Sequence, residues 1–265
     1  MSRVGIAFTR ARREGRAAFM PFLVAGDPTV DSIGAFLDAY ESAGADVVEI
    51  GFPYSDPLAD GPVIQRANHR SLGSGATVAG IFSAVKRFRE RSNLALVAMA
   101  SASLLERKGP SAFVRDAAEA GFDAIIVPDL PFEAVKGFFA GGKPGLPLAL
   151  LVAPTTPAER AEAIVRASRE FVYVVSLTGV TGSTLGPEAE LSSTIARVRE
   201  GAGRKPVAVG FGVATPEDAA RVARIADGVV VGSALVAVAE RRDPAALREA
   251  AASFSSALRA AAVAT

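Results

Sequence analysis

The fold is decided by the stretch from Val47 to Pro62, which reads VVEIGFPYSDPLADGP. It begins with a short β-branched run of strand length and continues as a loop crowded with proline, glycine and acids. The run carries one acid, Glu49, and a carboxylate inside an apolar strand is costly to bury. Burial raises the pKa of a carboxyl toward neutrality, which suits a general acid/base. A structural glutamate paired with a buried lysine or arginine is the alternative, and this stretch leaves both open.

Runs of this kind recur along the chain. Apolar segments of strand length occur at Phe19–Val24, Val47–Ile50, Leu94–Ala98, Ala124–Val127, Leu148–Val152, Val172–Val175, Val207–Val209 and Val229–Val231. They do not alternate between polar and apolar residues, which is typical of parallel strands buried on both faces. Segments with helical periodicity separate them, such as the one that places Ile33, Phe36, Leu37 and Tyr40 on one face.

Three helix starts are marked by a capping residue followed by proline. Thr156 and Thr215 each precede a proline and, three residues on, an acid, which is the order of a capping box. Asp243 precedes Pro244 at the start of the final Ala-rich segment. The polar stretch Ser2–Arg16 carries apolar residues at intervals and predicts an additional N-terminal helix that covers the bottom of the fold.

Strands that alternate with helices eight times over about 250 residues predict an α/β fold of the (β/α)8, or TIM, barrel type. A doubly wound open sheet is the competing fold, but no Gly-x-Gly-x-x-Gly turn follows the first strand. No linker or low-complexity stretch interrupts the sequence. We therefore expect a single barrel domain over residues 1–265.

The composition argues against several classes of function. The chain has no Cys and a single His, so disulfides, thiol catalysis, a metal site and a Ser-His-Asp triad are not expected. The single histidine, His69, is expected on a helix surface. A net charge of +1 without long basic runs argues against nucleic acid as a partner. No apolar stretch suits a membrane span of about 18 residues, and the N-terminus lacks a signal-peptide core. We expect a soluble cytoplasmic protein that works with carboxylates, hydroxyls and backbone groups.

Glycine loops follow the last three predicted strands. They are Gly179-Val180-Thr181-Gly182, Gly210-Phe211-Gly212 and Gly232-Ser233. In such barrels the active site lies at the C-terminal ends of the strands, and phosphate is often held by the loops after strands 7 and 8. Glycines let backbone N–H groups approach a phosphate closely, whereas each loop alone would be interpreted as a strand end. Together they predict a phosphate site built from backbone rather than from Lys or Arg.

Acids also follow the predicted strands, at Asp27, Glu49, Asp60 and Asp129. Such acids are catalytic candidates, but Asp before Pro or in a turn is also ordinary loop chemistry. Asp27 is assigned to a turn and helix start on that ground, whereas Asp60 stays open between a turn and a site residue. Tyr173, inside the sixth strand, is either a core residue or a hydroxyl that reaches the site.

These features together resemble the α subunit family of tryptophan synthase over essentially the whole chain. The anchors are Pro21-Phe22, Gly26-Asp27-Pro28, Glu49–Gln65, Asp129-Leu130-Pro131, Gly179–Gly182, Gly210–Gly212 and Gly232-Ser233, with Ser55–Pro62 the most specific. The resemblance implies a barrel that cleaves indole-3-glycerol phosphate to indole and glyceraldehyde 3-phosphate, late in L-tryptophan biosynthesis, without a cofactor. It also implies an αββα complex with a β subunit that carries pyridoxal phosphate.

The resemblance further implies a role for each matching residue. Glu49 matches the general acid/base, and Asp60 matches the acid that binds the indole N–H. The indole-pocket positions are Phe22, Ile64, Tyr173 and Phe211. The phosphate positions are Gly182, Gly212, Gly232 and Ser233, and Thr181 lies in the loop that closes over the substrate. Asp56 and Asp129 match positions that signal to the partner, although a turn role for Asp129 stays open.

One segment departs from the family pattern. Residues 100–103 read Ala-Ser-Ala-Ser, where the family usually shows Tyr-x-Asn near the partner. The change at Ser101 and Ser103 removes packing and hydrogen bonds suited to a partner surface. It therefore puts the coupling to the β subunit in question, but not the catalysis. The intact Ser55-Asp56-Pro57 still favours a complex. Three alternatives stay open: a stand-alone lyase, a weakly active chain that activates the β subunit, and another phosphate-binding barrel such as a sugar-phosphate isomerase.

Overall fold

The computed structural model describes residues 1–57, 60–139, 145–175, 188–210 and 212–261. Within these residues, eight strands form one parallel sheet in the order β4-β3-β2-β1-β8-β7-β6-β5. They are Ala18–Val24 (β1), Val47–Gly51 (β2), Ala95–Met99 (β3), Ala124–Ile126 (β4), Leu151–Val152 (β5), Val172–Val175 (β6), Val207–Gly210 (β7) and Gly228–Val231 (β8).

Helices connect and surround the strands. They are Arg3–Arg13 (α1), Ser32–Ser42 (α2), Pro62–Gly73 (α3), Val78–Arg89 (α4), Ala102–Lys108 (α5), Pro110–Ala120 (α6), Val135–Phe138 (α7), Ala158–Ala167 (α8), Glu188–Ala202 (α9), Pro216–Ala223 (α10), Ser233–Ala239 (α11) and Pro244–Ala260 (α12). A 3₁₀ turn at Phe132–Ala134 precedes α7. None of the helices in the described ranges combines the length and the apolar character needed to cross a membrane.

The sheet closes on itself between β4 and the segment just before β5. The Ile125 N–H donates to the Pro147 carbonyl at 2.9 Å, and the Ala149 N–H donates to the Ile125 carbonyl at 3.0 Å. Since β1 pairs with both β2 and β8, the strands follow chain order around a barrel. The predicted (β/α)8 barrel is confirmed, and the open doubly wound sheet is wrong.

The strands are buried on both faces, as their continuous apolar runs predict. Every residue of β1 and β2 is buried. Their outward side chains pack against helices such as α2, whose predicted apolar face of Ile33, Phe36, Leu37 and Tyr40 is buried. Their inward side chains fill the barrel, which places Glu49 among the interior positions of β2.

The N-terminal helix is present and closes the bottom of the barrel. Its bounds are Arg3–Arg13, shorter than the predicted Ser2–Arg16, because Ser2 is the N-cap and accepts a hydrogen bond from the Gly5 N–H at 3.0 Å. Phe8 is buried against the barrel interior, and its ring contacts Phe171 at 5.7 Å between centroids. The N-terminal end of the barrel is therefore plugged, and the opposite end is left for a site.

Two arginines, Arg10 within this helix and Arg16 just after it, pair with the buried Asp46 of the barrel. Arg16 donates to Asp46 from both ends of its guanidinium, and both side chains are nearly inaccessible to solvent. The Asp46 carboxylate also accepts from Arg10 at 2.7 Å and from the Phe19 N–H at 2.9 Å. Four donors around one carboxylate compensate the cost of its burial and tie α1, β1 and β2 together.

Two of the three marked helix starts are confirmed. Thr215 and Asp218 form a reciprocal capping box on α10, and Asp243 accepts from the Ala245 N–H at 2.9 Å on α12. The capping box expected at Thr156 is wrong. Thr156 instead accepts from the Ala153 N–H at 3.0 Å, and α8 begins after Pro157 without a side-chain cap. The hydroxyl is already engaged by the turn that precedes the helix.

Candidate active site

A cavity opens at the C-terminal ends of the strands and encloses about 490 Å³ of space between atoms, part of it open to solvent. It is lined by Phe22, Glu49, Asp60, Ile64, Met99, Tyr173, Gly212, Val213, Val230, Gly232 and Ser233. The structure thus brings together both predicted acids, three of the predicted indole-pocket residues and three of the predicted phosphate positions. The remaining predictions, Phe211, Gly182 and Thr181, lie outside the described residues.

Glu49 is held at the cavity wall by its strand. It pairs with Phe22 of β1 on one side and Val97 of β3 on the other, and it is 1% exposed. Among the described residues, its Oε2 atom has no hydrogen-bond partner and no Lys or Arg contributes to its pKa. Burial, and then the negative charge of Asp60, raise the pKa of Glu49 to about 8. In the described part of the chain, no cation therefore pairs with Glu49, which argues against the structural ion pair considered for it.

Asp60 reaches the same cavity from the loop before α3. Burial raises the pKa of its carboxyl to about 6, and a hydrogen bond from Tyr54 works in the opposite direction. The backbone of Asp60 also forms a turn, because its N–H donates to the Pro57 carbonyl at 3.0 Å. Its own carbonyl accepts from the Gln65 side chain at 2.7 Å. Both interpretations of Asp60 therefore describe part of it: the backbone makes the turn and the side chain faces the cavity.

The walls of the cavity are mostly apolar. Phe22, Ile64 and Tyr173 are buried there, as the sequence predicts for an indole pocket. Met99 and Val230 also line it and were not foreseen. The period of two along a strand could have found them: Met99 lies two residues after Val97, which pairs with Glu49, and Val230 lies two residues before Gly232. Flat apolar walls with few polar groups suit an aromatic ligand.

The glycine positions line the same cavity as the acids. Gly212 has a φ of +75°, a conformation that L side chains rarely adopt. Gly232 is the N-cap of α11, Ser233 is its first residue, and a Cβ at Gly232 would meet nothing within 4 Å. The space beside Gly232 is therefore open to a ligand. No Lys or Arg lines the described part of the cavity.

The remaining predicted acids lie elsewhere. Asp56 is exposed and accepts from the Ser55 hydroxyl at 2.6 Å. Asp129 is exposed and accepts from the Ala102 N–H at 2.8 Å at the start of α5, where Ser101 supplies the N-cap. Asp129 thus has a local structural task, and the partner role of both acids stays a prediction. His69 is exposed on α3, as expected.

Asp27 lies in a turn after β1, where its N–H donates to the Val24 carbonyl at 3.2 Å, but the helix-start role assigned to it is wrong because the N-cap of α2 is Asp31. Asp27 is 4% exposed, and its carboxylate accepts two hydrogen bonds from Arg70 of α3, at 2.9 and 2.7 Å. Arg70 also donates to Glu240 at 3.0 Å. The partner of Asp27 is 43 residues away in sequence, so local patterning around Asp27-Pro28 could not reveal it.

In the described residues, no group of three or more potential metal-ligating side chains occurs.

Comparison with known proteins identifies the family. A sequence model described as tryptophan synthase alpha chain matches residues 8–263. The chain belongs to this family. The tryptophan synthase alpha chain of Geobacter sulfurreducens is 43% identical over 260 residues, covering 98% of both chains. That of Halorhodospira halophila is 46% identical, covering 89% of this chain and 87% of the relative.

Solved structures of the tryptophan synthase family agree with this assignment. A tryptophan synthase structure from Mycobacterium tuberculosis superposes with a TM-score of 0.87 at 37% identity, covering 97% of this chain and 98% of the other. A tryptophan synthase alpha chain from Legionella pneumophila gives 0.86 at 33% identity and covers 97% of each chain. Membership confirms a lyase of tryptophan biosynthesis that catalyses the alpha reaction, cleavage of indole-3-glycerol phosphate. The alternative of a sugar-phosphate isomerase is therefore wrong. The name of the family also implies a beta chain as partner.

The missing side chain of Gly210 leaves the space that Tyr173 occupies in the cavity wall. A Cβ added at Gly210 would lie 2.0 Å from Tyr173 Oη and 2.5 Å from its Cζ. We expect Gly210→Ala to displace the tyrosine ring, at a cost of about 1–3 kcal/mol in the free energy of unfolding. A displaced wall should lower kcat/KM for indole-3-glycerol phosphate by about 10²-fold. Urea unfolding and indole release measure the two effects.

Gly73→Ala is the matched control, because an added Cβ there meets nothing within 4 Å. That variant should unfold at an equal or higher urea concentration and keep the parent's turnover. If Gly210→Ala shows the same stability and turnover as Gly73→Ala, Tyr173 does not need the space left by Gly210.

Proposed function

We propose that Glu49 and Asp60 carry out the cleavage of indole-3-glycerol phosphate, Glu49 as the general acid/base and Asp60 as the acid that binds the indole N–H. The observation that carries this proposal is that both carboxyls line one largely apolar cavity, whose burial raises their two pKa values to different extents. The pKa of Glu49 is raised to about 8 and that of Asp60 to about 6. Near neutral pH, Glu49 is therefore mostly protonated while Asp60 is mostly anionic, which separates an acid from an anion in one site.

These protonation states fit the steps of a retro-aldol cleavage. Protonated Glu49 donates its proton to C3 of the indole ring, and positive charge develops on the indole nitrogen. Anionic Asp60 stabilises that charge through the N–H. The Glu49 carboxylate then accepts the proton of the neighbouring side-chain hydroxyl while the carbon–carbon bond breaks. The bonding electrons return to the ring, indole and the aldehyde form, and Glu49 is again protonated.

The rest of the cavity binds the two ends of the substrate. Phe22, Ile64 and Tyr173 contact the indole ring, and the backbone at Gly212 and at Gly232-Ser233 binds the phosphate through N–H groups. Support comes from the position of both groups in the same cavity as the acids. We also assign Phe211 to the indole pocket, Gly182 to the phosphate site and Thr181 to loop closure.

The proposed chemistry needs no cofactor on this chain, because proton transfers and one carboxylate anion suffice for it. We assign pyridoxal phosphate to the β subunit only, within a cytoplasmic αββα heterotetramer in which this chain forms one barrel domain. Asp56 and Asp129 are proposed to signal to the β subunit. Both are exposed and lie in the loops after β2 and β4, at the same end of the barrel as the cavity.

Two loop acids make a matched test of this proposal. We expect Asp60→Asn to lower kcat/KM for indole release by about 10²–10³-fold, because an amide cannot stabilise the cationic indole nitrogen as an anion does. Asp56→Asn, only four residues earlier, should leave the isolated chain at the parent's rate and reduce its stimulation by the β subunit. Indole release from indole-3-glycerol phosphate, with and without added β subunit, measures both.

The same assay separates the alternatives that remain. If Asp60→Asn keeps the parent's turnover, Asp60 has no catalytic role and serves only in the turn. Strong stimulation by the β subunit would contradict a stand-alone lyase, and ready indole release by the isolated chain would contradict a chain kept only as an activator.

A further inference from the structure

Arg70 joins three segments of the barrel wall. From its position on α3 it donates to both carboxylate oxygens of Asp27, at 2.9 and 2.7 Å. Its remaining terminal nitrogen donates to Glu240 at 3.0 Å. Asp27 follows β1, α3 follows β2, and Glu240 directly follows α11, which begins after β8. Because β2, β1 and β8 are neighbours in the sheet, this junction connects the segments that follow three adjacent strands.

The two helices that meet at this junction each contribute to the cavity. Ile64 of α3 lines the cavity, and so do Gly232 and Ser233 at the start of α11. Arg70 lies six residues after Ile64, and Glu240 lies seven residues after Ser233, which is about two helical turns in each case. Neither Arg70 nor Glu240 lines the described part of the cavity. Arg70 can therefore act on a bound substrate only through the helices that it connects.

The contact between α3 and α11 is otherwise apolar. The two helices pack against each other, and Ala67 of α3 and Val236 of α11 belong to one buried apolar cluster. Apolar burial is not directional, so it does not fix how far one helix lies along the other. Within the described residues, the contact from Arg70 to Glu240 is the one hydrogen bond between these helices. The pair with Asp27, which is 4% exposed, holds the planar guanidinium in one orientation, so the contact to Glu240 fixes α11 relative to α3.

We propose that Arg70 is a positioning residue for the cleavage of indole-3-glycerol phosphate: by binding Asp27 and Glu240 at once, it sets the distance between the two ends of the cavity. The inference rests on the proposed function, in which the indole ring binds beside α3 and the phosphate binds at the start of α11. A substrate that carries both groups on one short chain needs both ends at a matching distance, whereas a ligand with only one of the groups does not.

Glu240→Ala tests this role, because it removes the link to α11 and leaves the pair between Arg70 and Asp27 in place. The variant should fold, since α3 also keeps its bond from the Ser71 hydroxyl to the Ala25 carbonyl at 2.7 Å. Dissociation constants are measured for indole, for glyceraldehyde 3-phosphate, and for an analogue in which an unsubstituted propyl chain joins indole C3 to the phosphate. The analogue carries both groups and lacks the hydroxyl that cleavage requires.

We expect Glu240→Ala to bind the analogue about ten-fold more weakly than the parent does, because misplaced ends no longer match its length. Indole and glyceraldehyde 3-phosphate should each bind as they bind to the parent. The kcat/KM for indole release should fall by about the same factor as the affinity for the analogue. A general loosening of the fold would instead weaken binding of the two single-group ligands as well, and that result would overturn the proposal.

Arg70→Lys tests the same link from its other end. Lysine keeps a positive charge beside Asp27, but an ammonium group cannot hold Asp27 through a planar fork and reach Glu240 in a fixed direction. It should therefore show the same selective loss of affinity for the analogue. The double variant with Glu240→Ala should bind the analogue no more weakly than the more affected single variant, because both substitutions break one link. Losses that multiply in the double variant would show that the two residues act separately.

Asp38→Ala is the matched control. Asp38 is 49% exposed, close to the 46% of Glu240, and it pairs with Arg91 at 2.8 Å. Its helix, α2, contributes no residue to the described cavity lining, so all three ligands should bind as they bind to the parent. If Glu240→Ala binds the analogue as tightly as Asp38→Ala does, the inference about Arg70 fails and the proposed function stands. If the parent itself binds the analogue no more tightly than glyceraldehyde 3-phosphate, the proposed two-ended cavity fails, and the role of Arg70 fails with it.

Discussion

Glu49→Gln is expected to lower indole release by about 10³–10⁴-fold, because the amide can neither donate a proton to indole C3 nor accept one from the substrate hydroxyl. The side chain keeps its size, so the cavity and its phosphate-binding end should remain. Indole release from indole-3-glycerol phosphate measures the loss, and binding of inorganic phosphate or glyceraldehyde 3-phosphate reports whether the rest of the site is intact.

The stability of the same variant separates catalysis from misfolding. The folded-state pKa of Glu49 is raised to about 8 from an ordinary value of 4.5. Between those pH values the folded chain holds a proton that the unfolded chain has lost, so the stability contributed by this group falls as the pH rises. Gln has no such dependence. The variant should therefore melt at the same or a higher temperature than the parent at pH 8, and substantial turnover in a folded variant would show that Glu49 is structural.

The second large effect is expected at the opposite end of the barrel. Asp46→Ala leaves the buried Arg16 guanidinium with only the partly exposed Glu14 as its anion and removes the acceptor of the Phe19 N–H. Breaking a buried pair in this way costs about 3–5 kcal/mol. We expect that loss in the free energy of unfolding, measured by urea denaturation at pH 7.

Asp38→Ala is the control for the loss of an ion pair. Asp38 pairs with Arg91 at 2.8 Å, but both side chains are about half exposed. Such surface pairs contribute about 0–1 kcal/mol. Equal destabilisation by the two substitutions would show that burial of Asp46 does not set the strength of its interactions.

Strand positions could be predicted because strands buried on both faces leave continuous apolar runs. The largest error is in β5, predicted at Leu148–Val152 and observed at Leu151–Val152. Leu148 makes only an isolated bridge to Ile125, where the barrel closes. Apolar residues where β4 meets the segment before β5 resemble strand residues in the sequence. Whether they form continuous strand hydrogen bonds depends on how the barrel closes, which the local sequence does not encode.

The site could be predicted where residues carry a chemical signal. Acids and glycines at strand ends predicted two carboxylates and the glycine backbone that line one cavity in the structure. Met99 and Val230 were missed because an apolar wall residue resembles any core residue unless the period of two is followed from Glu49 and Gly232. The pairs Arg16–Asp46 and Asp27–Arg70 were missed because their members lie 30 and 43 residues apart. Only the folded barrel brings those charges together.

Asp46 immediately precedes β2, and Glu49 lies three residues further along the same chain segment. Asp46, which ties the closed end of the barrel together, and Glu49, the buried acid of the cavity at the open end, are therefore only three residues apart. We therefore expect substitutions in the loops at the open end to leave the Asp46 contacts in place, whereas a shift of β2 along its own axis would disturb both ends of the barrel at once.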